Sequence, residues 1–200
     1  MVADPKITYM TPEEYLDWEE QQPLKYGYID GKIYDIAEVT LSHNEIAVNL
    51  ATLLKTFLRG KGCKVLMAGA KVSVSEKGPF HYPDIMVTCD PRDQKARKVV
   101  NYPCLIIEVL SPSTEAFDRG DKFKHYRQIS TLKEYVLINA NKMSLDCYRL
   151  NHNHKWELTL YNLDETNLTL EEIEIKFTSI DYSCSLSSIY EDVLLGDDES

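Results

Sequence analysis

Two apolar runs, CLIIEVL (104–110) and EYVLINA (134–140), restrict the fold of this chain more than any other feature. EYVLINA is continuous rather than alternating, the pattern of a strand covered on both faces. The segment between them, DRGDKFKHYRQI, reads as a helix with Asp118 at its N-cap and Asp121 at N3. A strand, a helix and a second buried strand in succession predict a crossover unit within a sheet.

The flanking segments fill in the rest. In TPEEYLDWEEQ, Thr11, Pro12 and Glu14 supply a capping box and a proline at the first helical position. Asp30-Gly31 between two β-rich runs predicts a tight hairpin. SHNEIAVNLATLLKTFLRGKG places Ile46, Leu50, Leu53, Leu54, Phe57 and Leu58 at helical spacing and closes on Gly60 and Gly62. KVLMA and KVSVSE are strands on either side of Gly69, and PDIMVT is another. SLDCYRL and KWELTLYN alternate around the turn-like NHNH, which accounts for His152 and His154 as hairpin residues. A last strand, a short helix and a frayed acidic end complete the chain. The expected class is α/β (α+β), a mixed sheet flanked by helices.

With 200 residues, 44% of them hydrophobic, one domain over residues 1–200 is expected. No run of about 18 apolar residues predicts a membrane span, and the N-terminus does not read as a secretory signal. Five cysteines without C-x-x-C spacing argue against a disulfide framework or a structural zinc site, so a reducing cytoplasm is the expected compartment. Net charge is −10, against general nucleic-acid binding. The charge is uneven, however: residues 55–127 hold 14 Lys/Arg and 8 Asp/Glu, a net +6. Arg92, Lys95, Arg97 and Lys98 there are either a basic surface suited to a phosphate-bearing substrate or a solvated loop.

That positive segment contains two carboxylates set against strand-like apolar runs, Asp84 beside IMV and Glu108 within CLIIEVL. Carboxylates in such surroundings need a partner or a metal. Asp84 follows Pro83, which cannot donate to a central ladder, so the strand begins or bends there; Pro112 ends the strand of Glu108. On neighbouring strands the two would face one point, and their hard oxygens suit Mg²⁺ or Mn²⁺. A cationic side chain is then needed to orient water and offset charge on a scissile phosphate. Lys122 is the candidate, with Tyr126 four residues on along the same helical face.

The order of a helix, strands, P-D, a strand ending in E-x-x and a further helix resembles the PD-(D/E)xK nuclease superfamily. YPDIMVTCD, LIIEVLSPSTEAFDRGDKFKHYRQI and EYVLIN are more closely similar to the Uma-type family of putative restriction endonucleases. The resemblance runs from the Thr11 helix to YEDVLL, and the EVLSPST–DRG–K–Y block is its specific part. It implies a restriction-endonuclease-like sheet core at about 42–140, with a helix and hairpin at about 10–37 before it and a β extension at about 143–195 after it. It implies metal-dependent hydrolysis of phosphodiester bonds, with Asp84 and Glu108 as metal ligands and Lys122 as the catalytic ammonium. Two departures stand out. Leu110 occupies the place of the superfamily's E-x-K lysine, which the resemblance moves to Lys122. Gly27 stands where many relatives carry a glutamate.

Four side chains are candidates for supporting roles. Glu45 is either a third ligand or the N3 partner of Ser42 in a capping box. His43 either approaches the site or lies exposed at a helix start, and Lys71 is either a phosphate contact or a strand-edge lysine. Tyr126 would support Lys122. Ser111 and Ser113 lack the G-x-S-x-G elbow of a nucleophilic serine. The expected function is a Mg²⁺- or Mn²⁺-dependent endonuclease acting on DNA, as a homodimer if both strands are cut. The alternatives are a catalytically silent protein binding nucleic acid or a protein partner through the same cleft, and a metal-dependent hydrolase of another substrate.

Overall fold

A computed structural model describes residues 9–36, 39–162, 169 and 171–195. The acidic end expected to fray lies outside the described residues from position 196 on.

Helix α1 (Pro12–Glu19) is capped as the sequence predicts: Glu14 N–H donates to Thr11 Oγ1 at 3.2 Å, and Thr11 N–H donates to Glu14 Oε2 at 2.8 Å. Strands β1 (Tyr26–Ile29) and β2 (Lys32–Asp35) form the Asp30-Gly31 hairpin, both turn residues having positive φ (47° and 86°). Helix α2 (Leu41–Phe57) is capped by Thr40, whose Oγ1 accepts from His43 N–H at 3.2 Å. The capping box expected from Ser42 and Glu45 therefore does not form, because the helix starts two residues too early for it.

Strands β3 (Lys64–Met67), β4 (Lys71–Ser73), β5 (Phe80–His81), β6 (Ile85–Thr88), β7 (Val99–Val100) and β8 (Leu105–Leu110) follow. After a helical stretch come β9 (Glu134–Asn139), β10 (Ser144–Leu150) and β11 (Trp156–Asn162). The chain closes with β12 (Glu174–Phe177), β13 (Tyr182–Ser185) and a short helix, Leu186–Ile189. One sheet has the order β2-β1-β5-β4-β7, a six-stranded one β11-β10-β9-β8-β6-β3, and β12 pairs with β13 alone. The predicted crossover is present: β8 and β9 are parallel, with Glu108 opposite Leu137.

Alternation along β8 decides which way each residue faces. Leu105, Ile107 and Val109 pack with Ile46, Leu50 and Leu54 of α2, whereas Ile106 and Leu110 pack with Tyr126 and Tyr135 on the opposite face. Glu108 shares that second face. On the antiparallel neighbour β6, Ile85 pairs with Ile107 and Met86 with Ile106, so the same register sets Asp84 across from Glu108.

The register also explains a bond the cysteine pattern did not suggest. Lys64 pairs with Thr88, which brings the next residues outward, Cys63 and Cys89, into a disulfide with Cα atoms 4.1 Å apart. Cys104, Cys147 and Cys184 are free. Among the described residues no helix is long and apolar enough to cross a membrane.

Candidate active site

Asp84 and Glu108 are joined edge to edge across two strands. Asp84 N–H donates to Glu108 Oε2 at 3.4 Å, and Val109 N–H donates to Asp84 Oδ2 at 2.8 Å. His43, from the first turn of α2, sets Nε2 3.2 Å from the same Asp84 oxygen. Asp84 Oδ1 makes no hydrogen bond among the described residues.

The ammonium arrives from the other direction. After β8, a turn of helix α3 (Glu115–Phe117) widens into a π-helical turn at Asp118–Lys122 and resumes as α4 (Phe123–Tyr126). Such widened turns recur at functional sites because they shift the phase of the helix. Here Lys122 Nζ lies 2.9 Å from both Glu108 Oε1 and Asp118 Oδ1. Tyr126 donates its hydroxyl to Glu108 Oε1 at 2.9 Å, and Tyr135 donates to the Asp118 carbonyl at 2.9 Å. Leu110, where the superfamily pattern has its lysine, is buried in the core beneath.

Asp118 is the residue the sequence reading missed. The chain is already helical when it reaches Asp118, which makes no capping hydrogen bond and is instead buried as a third carboxylate of the cleft. A D-R-G-D-K stretch looks like a helix start, and nothing in it signals the widened turn.

Two other candidates lie elsewhere. Glu45 is exposed, since it follows His43 by about 200° around the helix. Lys71 belongs to the other sheet, where its ammonium sits 3.1 Å from the buried Glu19 Oε2 and 4.6 Å above the Tyr15 ring. Tyr82 donates to Glu19 Oε1 at 2.6 Å, so this pair braces the segment leading to Asp84. The basic loop is also apart from the cleft: Arg92 pairs with Asp90 and covers Tyr102, and Lys98 pairs with Glu20. Lys122 is the only lysine or arginine among the described residues lining the cleft.

Electrostatically the cleft has an excess of negative charge. Burial pushes Glu108 up to about 8, with Asp84 and Asp118 adding to the effect and Lys122 opposing it. Burial would strip the proton from Lys122, but Glu108, Asp118 and Asp84 outweigh it and keep the ammonium charged. Asp35 also lines the cleft. His43 Nδ1 is buried without a partner. Among the described residues no three His, Cys, Asp or Glu side chains form a ready-made metal cluster. Two facing carboxylates with an open Oδ1 nonetheless fit Mg²⁺, which is commonly held by one or two carboxylates with water and substrate phosphate supplying the rest.

Comparison with known proteins gives a family and a fold. A family model described as "Uma2: Putative restriction endonuclease" matches residues 12–182. An uncharacterized protein of Synechocystis sp. is 39% identical over 168 residues, covering 84% of this chain and 88% of that protein. A second uncharacterized Synechocystis protein is 35% identical over 182 residues, covering 90% and 99%. A solved structure described as a "putative nuclease belonging to DUF820" from Anabaena variabilis superposes with a TM-score of 0.71 at 16% identity, covering 92% of this chain and 99% of that one. At that identity the likeness is one of fold.

Proposed function

The chain belongs to the Uma2 family of putative restriction endonucleases, and on that footing we propose that it is a Mg²⁺- or Mn²⁺-dependent endonuclease hydrolysing phosphodiester bonds of DNA. The observation that carries this reading is the meeting of Asp84, Glu108 and Lys122 in one cleft, with Lys122 Nζ 2.9 Å from Glu108 Oε1.

Asp84 and Glu108 would hold the cation, which when bound supplies Lewis-acid polarisation of the scissile phosphate and of water. Val109 N–H and His43 hold Asp84 Oδ2 in place and leave Oδ1 toward the cleft. Tyr126 does the same for Glu108 Oε1. The Lys122 ammonium orients the attacking water and offsets the charge that develops on the phosphate oxygens. Asp118 helps Glu108 set the position of that ammonium. Cutting both strands of a duplex calls for two such sites, so pairing of two chains is part of this reading.

Gly27 favours a second reading, a catalytically silent protein that binds nucleic acid through the same cleft. It lines the cleft, and a Cβ there would meet only the Phe80 and Tyr34 carbonyl oxygens, at 3.6 and 4.0 Å. The position therefore has room for an acidic side chain that this chain lacks. Incubating the purified protein with supercoiled plasmid, with and without Mg²⁺ or Mn²⁺, separates the two. Metal-dependent nicking lost in Asp84→Ala supports the enzyme; metal-independent binding without nicking supports the silent protein.

A further inference from the structure

Resting on the nuclease reading above, we propose that His81 and His125 form a proton relay that carries the proton released by the attacking water from the cleft to solvent. His81 closes β5, is 3% exposed, and lines the same cleft as Glu108 and Lys122. Its Nε2 lies 3.1 Å from His125 Nδ1, and the two ring planes lie within 18° of each other with centroids 5.2 Å apart. Tyr126 and Phe117 meet the His81 ring edge-on and fix its plane. His81 Nδ1 makes no hydrogen bond among the described residues, yet the only sealed, unpartnered side-chain nitrogen among them is His43 Nδ1. The remaining nitrogen of His81 is thus not sealed off, and the residue lines the cleft. His125, on α4, is half-buried and forms the outer end. Burying the polar His81 ring where an apolar one would pack is costly unless its hydrogen bond is used.

The charges around the pair favour outward movement. Burial, then Lys122, then His125 hold His81 well below the usual histidine range, so it does not retain a proton. At His125 burial also lowers the value, but Asp121 and Asp30 favour the protonated ring and oppose it, with Lys124 on the other side of the balance. As the water oxygen bonds to phosphorus and the phosphorus–oxygen ester bond breaks, the water proton passes to His81 Nδ1. The Nε2 proton of His81 moves to His125 Nδ1, and His125 releases its Nε2 proton to solvent. The leaving oxygen takes a proton from water. Both rings end neutral, and their tautomers reset by exchange between turnovers.

The test is cleavage of plasmid by the full chain under single-turnover conditions, across pH and with or without added imidazole. His125→Gln keeps a hydrogen-bonding side chain but cannot relay, and His81→Asn removes the inner carrier. Each is expected to lower the rate about a hundredfold, the low end for a positioned proton carrier, and added imidazole is expected to restore much of the His125→Gln loss. A His125→Gln protein that cleaves at the wild-type rate overturns the relay. So does one that melts like the wild type but loses rate without imidazole rescue, since a packing role alone gives that result. A wild-type protein that never cleaves with either metal overturns the nuclease reading itself, and the relay with it.

Discussion

Lys122 Nζ lies between Glu108 Oε1 and Asp118 Oδ1, 2.9 Å from each, in a cleft where it is the only lysine or arginine among the described lining residues. A buried cation shared by two carboxylates ties the chemistry of the site to its stability. Lys122→Met leaves both carboxylates buried without their counter-charge. It is expected to abolish cleavage and to lower unfolding free energy by about 3–5 kcal/mol, read by urea denaturation.

Lys71→Met is expected to separate the two properties. Its ammonium serves Glu19 in the other sheet, so the variant loses stability by about 3–5 kcal/mol but keeps its cleavage rate at a temperature where it remains folded. A selective loss of DNA affinity would mean that Lys71 contacts phosphate after all.

The Cys63–Cys89 bond closes a separation of 26 residues. Chain-entropy arguments give such a closure about 3.5 kcal/mol of stability. Denatured, unreduced protein is expected to titrate three thiols, from Cys104, Cys147 and Cys184, and reduction to lower the melting temperature without changing cleavage.

His81 gives the protein a pH-dependent stability. Burial, Lys122 and His125 depress its folded-state value well below the usual range. Above about pH 6.5 neither folded nor unfolded His81 carries a proton, and the group contributes nothing. Below that the unfolded chain takes up a proton the folded one refuses, so stability falls as pH falls. His81→Asn is expected to flatten that slope, measured by urea midpoints between pH 7.5 and 5.5.

Gly27→Glu tests the room left in the cleft. With the nearest atom 3.6 Å from a built Cβ, the variant is expected to fold and to bind Mn²⁺ more tightly than the wild type, read by Mn²⁺ electron paramagnetic resonance.

Much of this was legible in the sequence because it rests on local rules. Asp30-Gly31 and the Thr11 capping box announce themselves by residue type, and carboxylates stand out against apolar strands. Lys122 and Tyr126 share a face through simple spacing. What escaped depends on register and phase. The Cys63–Cys89 bond follows from the pairing of Lys64 with Thr88, which no cysteine spacing encodes. Asp118 enters the cleft through a widened turn, and Glu19 is buried although its helix is rich in acidic residues. His81 sits on a strand of two residues, too short to leave a periodic trace.

The central claim is that Asp84 and Glu108 together grip a divalent cation, and a crystal soaked in Mn²⁺ tests it most directly. The account predicts anomalous density beside Asp84 and Glu108, absent from Asp84→Ala crystals soaked in the same way. Saturating Mn²⁺ that leaves no density there, or binds only at other surface carboxylates, would contradict it.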